Sequence, residues 1–284
     1  MIEITSARVR QWLPHRPEDG HKGSFGRALI AAGSVGFTGA PTLSANACVR
    51  SGAGLVFLAV PQSVWTVAAA KCNEAMPSPC PEDEMGRFSA KALPGLLERA
   101  KGCDALLLGP GLGQSEELDS LVMDFLRLTS QSMVLDADGL NALSRHIDSL
   151  SRDNLILTPH DGEYARLMGH WPGADREAAA RELSGRLNCV AVLKGHRTIV
   201  AAPDGTCYVN TTGNHGMAKG GSGDVLAGLM TGLLAQGMSP VQAAASAVWI
   251  HGRAGDIAAG RFSYHGMTPT DLVGCLTQVW KELE

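Results

Sequence analysis

No two of the seven cysteines in this chain (Cys48, Cys72, Cys80, Cys103, Cys189, Cys207 and Cys275) are spaced as Cys-x-x-Cys, and their number is odd. That leaves no paired-thiol motif, and the cysteines read as buried thiols in a reducing compartment. No apolar run approaches the ~20 residues that a membrane-spanning helix needs, and residues 1–23 contain no apolar signal region. A cytoplasmic protein without a membrane partner is expected. Excess positive charge is also missing, with 24 Lys and Arg against 28 Asp and Glu and a net charge of -4. Nothing draws the chain to nucleic acid or an anionic membrane over long range, so any phosphate must be held locally. The common phosphate motifs are absent too. There is no GxxxxGK[ST], and the GPGLGQ stretch lacks the third glycine of a GxGxxG fingerprint, which argues against a P-loop NTPase and an ordinary NAD-dependent dehydrogenase. Internal repeats, low-complexity tracts and charge blocks are likewise lacking.

The surplus is glycine, 34 in 284 residues, in a chain that is 45% hydrophobic and 18% charged. Ordered glycine costs backbone entropy, so the surplus suggests tight turns and places where backbone approaches a ligand. Short apolar runs at 27–32, 55–60, 105–108, 133–136, 155–157, 190–193, 198–202 and 207–210 read as strands. Between them, 41–51, 116–128, 139–145, 162–168 and 176–187 carry apolar residues at helical spacing. This alternation predicts an α/β fold with a mostly parallel, buried sheet. The Asp204-Gly205 pair predicts a hairpin, which makes that edge antiparallel. After Gly221 only helices follow, at 224–236, 240–259 and 270–283, and they cap the sheet. Segment 76–85, with Pro77, Pro79 and Pro81, reads as a surface excursion. One domain over 1–284 is expected.

Open parallel sheets bind ligands beyond the carboxyl ends of their strands. Five Gly- or Asp-rich turns follow strands here, beginning at Gly33, Gly109, Asp136, Thr158 (reaching His160) and Lys194. All five should share one rim. The run Asn214-His215-Gly216-Met217-Ala218-Lys219-Gly220-Gly221-Ser222-Gly223-Asp224 leads directly into an apolar helix. Converging glycine N–H groups and the positive end of a helix dipole make an anion pocket with an acid at its mouth. Asp224 could instead be an N-cap. His160 could equally cap the helix that follows it, and Lys219 is either a phosphate contact or a surface charge. Asp136 and Asp138 could hold Mg²⁺ through water or cap a helix. His21, His215, His251 and His265 have no metal spacing and read as structural.

The run GMAKGGSGDVLAG resembles the GxGD signature of the ribokinase-like superfamily, in which glycines form an anion hole and the Asp is the catalytic base. Six ordered stretches narrow this: HKGSFGRALIAAGSVGFTGAPTLSANACVRSGAG, LLLGPGLG, VLDADGLNAL, LTPHDGEYARL, VLKGHRTIVAAPDG and the GxGD run. Together they resemble the ADP-dependent NAD(P)H-hydrate dehydratases over about residues 22–237. The resemblance implies a three-layer αβα fold, without the epimerase domain fused N-terminally in some members. It implies dehydration of the S-form of hydrated NADH or NADPH, with ADP (or ATP) as co-substrate and Mg²⁺, and a homo-oligomer, a tetramer in the family. By the same resemblance Asp224 would be the base, with Gly221, Ser222 and Gly223 as the anion hole. Lys194, Gly195, His196, Arg197, Thr198, Asn214, Lys219 and Gly223 would contact the adenine nucleotide. Ala40, Gly111 or Gly113, His160 and Asp224 would contact the hydrated dinucleotide, with Asn141 a further candidate. A kinase of the same fold acting on a small alcohol such as a vitamin precursor, and a nucleotide-binding regulator without turnover, are the competing readings.

Overall fold

The computed structural model describes residues 1–147 and 150–284. In chain order the elements are β1 (Ile2–Glu3), α1 (Ser6–Trp12), β2 (Arg27–Ala31), α2 (Gly39–Arg50), β3 (Leu55–Pro61), α3 (Gln62–Lys71), β4 (Met76–Cys80) and α4 (Leu93–Ala100). There follow β5 (Ala105–Leu108), α5 (Glu116–Leu128), β6 (Ser132–Leu135), α6 (Asp138–Ser144), β7 (Leu155–Leu157), α7 (Asp161–Met168) and α8 (Arg176–Leu187). The chain continues through β8 (Val190–Leu193), β9 (Ile199–Ala201), β10 (Cys207–Val209), α9 (Ser222–Ala235), α10 (Pro240–Gly266) and α11 (Pro269–Leu283).

Among the described residues the strands form one ten-stranded sheet in the order β1-β10-β9-β8-β7-β6-β5-β2-β3-β4. Strand residues alternate between two cores, as the pleat requires. Ala28, Ile30, Ala105, Leu107, Val134 and Ile156 face the core shared with α2, α9, α10 and α11. Leu29, Ala31, Leu106, Leu108, Leu135 and Leu157 face the core shared with α4 to α8. This is the expected αβα sandwich, and both faces being covered explains why the central strands read as unbroken apolar runs. Neighbours from β4 through β3, β2, β5, β6 and β7 to β8 are parallel. The turns after β2, β5, β6, β7 and β8 therefore lie on one rim, the carboxyl one.

The Asp204-Gly205 hairpin is present, joining β9 to β10 antiparallel. The antiparallel region extends further, because β9 also pairs antiparallel with β8. Two-residue β1 then covers β10 in parallel. Segment 76–85 requires a correction, since 76–80 is not a loop excursion but β4, the edge strand beside β3. An edge strand tolerates prolines because one side of it needs no donors. Helices α1, α3 and α4 also escape the sequence pattern.

On the helical layer, α9 packs against α2 at glycine distance. A Cβ on Gly228 would sit 2.0 Å from the Ser44 carbonyl oxygen, and one on Gly232 would sit 1.8 Å from Ser51 Oγ. This contact fixes where the N-terminus of α9 meets the rim. Among the described residues no helix is long and apolar enough to cross a membrane.

Candidate functional site

A cavity of about 830 Å³ opens on the rim, between the β8–β9 turn, segment 210–224 and α10. The β8–β9 turn is 194–198, held closed by Thr198, whose hydroxyl donates to the Gly195 carbonyl at 2.9 Å. Gly195 and Arg197 have φ of +153° and +58°. Asn214 spends its side chain on the loop itself: its oxygen accepts the Gly216 N–H at 3.0 Å and its amide donates to Asp256 at 3.0 Å. All eight residues expected to contact nucleotide line this cavity. Lys219 does so with its ammonium already donating to the main-chain carbonyls of His265 (2.6 Å) and Met267. It ties the α10–α11 connection to the glycine run, a role that neither of the two weighed alternatives anticipates.

The glycine run ends at Gly221, which caps α9 from a left-handed conformation at φ +102°. Asp224 is thus the third residue of the helix and not its N-cap, and no side chain caps this end. The Ser222 N–H turns to the Lys219 carbonyl at 3.2 Å, so that donor of the expected anion hole is already engaged. A helix N-terminus without a side-chain cap is a ready anion site. Ser222 Oγ and His251 Nε2, both on residues lining the cavity, are buried without a hydrogen-bond partner among the described residues.

Around Asp224 the charges are closely set. Asp136 Oδ1 accepts from Thr158 at 2.7 Å and from the Lys194 ammonium at 2.8 Å, and Glu163 lies 3.6 Å from the same ammonium. Burial pulls the Lys194 pKa down, but Asp136, Glu163 and Asp224 outweigh it and raise the pKa above its ordinary value, so the ammonium stays charged. Asp224 is pushed up to about 7, chiefly by burial, further by Asp136 and Asp138, and against the pull of Lys194. A carboxylate balanced near neutrality is suited to accept a proton and to release it. A Cβ on Gly223 would lie 3.5 Å from Lys194 Nζ and 4.0 Å from Asp136 Oδ2, so this glycine keeps the carboxylate–ammonium pair open to the helix end.

His160 has the capping role. Its Nδ1 accepts the N–H groups of Gly162 (3.0 Å) and Glu163 (3.3 Å), and Glu163 returns a bond to the His160 N–H. Capping does not remove the ring from the site, for His160 also lines the cavity. With Nδ1 accepting, the neutral ring carries its proton on Nε2 and is a donor there.

Ala40, Gly111 and Gly113 lie outside that cavity lining, across the rim from the 194–198 turn. Gly111 (φ +64°) packs against Ala40, since a Cβ on it would come 3.1 Å from the Ala40 Cβ. Gly113 points elsewhere: its N–H donates to Asp138 Oδ2 at 2.9 Å and its α-carbon faces Arg87. Asp138 also accepts from Asn141 at 3.2 Å, and Arg166 donates to Asn141 at 2.8 Å. Neither Asp136 nor Asp138 caps α6, because its N-cap is Ala137 with no side-chain bond. Asp138 instead links the Gly109–Gly113 turn electrostatically to Asp224. Among the described residues no group of three or more His, Cys, Asp or Glu could hold a metal ion by itself.

His251, read from sequence as structural, is a lining residue. Burial, the largest influence, pushes it down to about 4, so its ring is neutral. No local signal marks it; only the packing of α10 beneath α9 brings it there. His21 does cap a short 3-10 turn, and His215 stacks on Tyr264 with centroids 4.3 Å apart while also lining the cavity.

A mostly parallel αβα sheet, with a nucleotide-sized cavity ending at a glycine-capped helix N-terminus and a half-buried Asp, defines the ribokinase-like class of nucleotide-using enzymes. The comparisons are narrower. Residues 28–278 match the model of a family described as NAD(P)H-hydrate dehydratase, and the chain belongs to that family. It is 44% identical to the bifunctional NAD(P)H-hydrate repair enzyme Nnr of Moorella thermoacetica, over 99% of this chain and 54% of that one. The chain thus spans about half the length of such bifunctional relatives. It is 34% identical to the ADP-dependent (S)-NAD(P)H-hydrate dehydratase of Bacillus subtilis, over 99% of this chain and 98% of that one. The crystal structure of an ADP/ATP-dependent NAD(P)H-hydrate dehydratase from Bacillus subtilis, co-crystallised with ATP and Mg²⁺, superposes with a TM-score of 0.84 at 31% identity, covering 100% and 99%.

Proposed function

We propose that the chain dehydrates the S-form of hydrated NADH or NADPH back to the reduced cofactor, using ADP or ATP as phosphoryl donor. The observation that carries this reading is Asp224, half-buried near Lys194 at the N-terminus of α9 with its carboxyl pushed up to about 7. Hydroxide is a poor leaving group, and phosphate is a good one. Asp224 takes the proton of the ring hydroxyl as the O–P bond forms and the bond from phosphorus to the nucleotide breaks, leaving AMP when ADP is the donor. The C–O bond then breaks, phosphate departs, and a proton lost from the adjacent ring carbon restores the double bond.

The N–H groups at the start of α9 other than that of Ser222, which is engaged with Lys219, and the Lys194 ammonium face the charge that builds on the moving phosphoryl group. His160 donates from Nε2 and so suits an acceptor on the substrate, such as a carboxamide oxygen. Mg²⁺ neutralises phosphate oxygens when bound; one or two carboxylates plus the phosphates ordinarily suffice for it. Asp136 and Asp138 are the residues that would hold it, through water. The adenine nucleotide occupies the side formed by 194–198 and 214–223, and the dinucleotide the side of Ala40, Gly111 and His160.

The test is incubation with hydrated NADH and ADP or ATP while the absorbance of reduced nicotinamide is followed. Its return, with phosphate released, is the expected result. A stable phosphorylated product would identify a kinase instead, and absence of nucleotide consumption would identify a binding protein.

A further inference from the structure

We infer that Phe37 is a stacking platform for the adenine base of the hydrated dinucleotide, the half remote from the reacting ring; this rests on the dehydratase reading above. Phe37 stands on the loop between β2 and α2 and is 58% exposed, a large aromatic ring left in water. Its loop is a closed turn, with the Phe37 N–H donating to the Ser34 carbonyl at 2.9 Å. A Cβ on Gly111 would lie 2.9 Å from the Phe37 Cβ and 3.1 Å from that of Ala40, so the aromatic residue adjoins both of these proposed dinucleotide contacts. Exposed Val35 joins the margin, where its N–H donates to the Gly86 carbonyl at 3.0 Å and brings exposed Met85 alongside the loop.

The sheet order places this patch. From β2 the chain proceeds outward to β3 and β4, then returns to the other side of β2 as β5. The crevice between the β2 and β5 turns is thus a topological switch point, where α/β sheets bind ligands. The Asp224 cavity opens on the other side of Asp138, and Phe37, Val35 and Met85 do not line it. A dinucleotide is two nucleotides joined by a pyrophosphate. With its hydrated ring at Asp224 and the phosphoryl donor on the 194–198 side, its second base is left to reach over Gly111 toward Phe37. Adenine is flat, and stacking on an aromatic ring needs no further polar partner.

The test compares hydrated NADH with hydrated reduced nicotinamide mononucleotide, which carries the same ring without the adenosine half. Phe37→Ala should raise KM for hydrated NADH roughly tenfold, the ordinary loss on removing one base stack. It should leave kcat, the KM for ADP and the kinetics of the mononucleotide unchanged, and Phe37→Trp should restore the KM. An equal loss on both substrates, or none on hydrated NADH, overturns the inference. A change in assembly mass in Phe37→Ala with KM unaltered overturns it also, assigning the patch to a second copy of the chain. A wild-type protein that binds ADP and converts neither hydrate overturns the dehydratase reading, and this inference with it.

Discussion

Burial does most to raise Asp224, and two neighbouring charges adjust it: Asp136, which repels a second negative charge, and Lys194, which attracts one. As the base must be ionised, kcat/KM should climb tenfold per pH unit below about 7 and level off above it. Asp136→Asn removes a neighbouring charge, so that acidic limb should move to lower pH; an unmoved limb would show that another group controls it. Asp224→Asn keeps shape and hydrogen bonding but has no proton acceptor. We expect its kcat to fall by about 10²–10⁴-fold with KM little changed, whereas a kcat within a few-fold of wild type would dismiss the base. Stability carries the opposite sign. A carboxyl whose pKa is raised on folding stabilises the fold below its unfolded value of 3.8 and loses that contribution as pH rises through about 7. Asp224→Asn should therefore melt at or above the wild-type temperature at pH 8, and a lower melting temperature would mean that the carboxylate is structural. The candidacy of Asp224 was legible because glycines pile up before it. What the letters could not give was its position in the helix, since whether an Asp caps or follows the cap depends on where Gly221 turns left-handed. His251 was illegible for a different reason, since no local pattern marks a residue that packing alone brings to the wall.

At the scale of elements, α9 is the part on which the site depends, and two glycines seat it against α2. Replacing a mid-helix glycine by alanine ordinarily stabilises a helix by roughly 1 kcal/mol. Gly228→Ala should do the reverse, because the added methyl meets the Ser44 carbonyl at 2.0 Å and backbone has to move. A loss of about 1–3 kcal/mol in denaturant unfolding is expected, with activity falling in step as the α9 N-terminus shifts on the rim; a gain would show that α2 and α9 are not in fixed contact. The central strands and most helices could be read directly, since strands buried on both faces are written as unbroken apolar runs. β4 could not, because Pro77 and Pro79 suggest a loop unless an edge position is already known. Helix α4 carries Leu93, Leu96, Leu97 and Ala100 at helical spacing, and Pro94 in its first turn conceals it although that is a permitted place for proline.

Across the whole molecule, ten strands in one order bring residues more than 180 positions apart, Ala40 to Asp224, to a single rim. That shared rim followed from the sequence as soon as the strands were taken as parallel. The division of the rim did not, because it depends on Asp138 standing between the Gly109–Gly113 turn and Asp224, and on which side of that divide the open cavity falls. The central claim is that phosphoryl transfer and loss of water are one coupled event. It is tested most directly by counting products in the same vessel: phosphate, AMP and restored NADH formed from hydrated NADH and ADP, with phosphorylated dinucleotide sought beside them. Phosphate, AMP and NADH should rise together in equal amounts, and no phosphorylated dinucleotide should accumulate. AMP formed with a persistent phosphorylated product, or NADH restored without consumption of nucleotide, would contradict it.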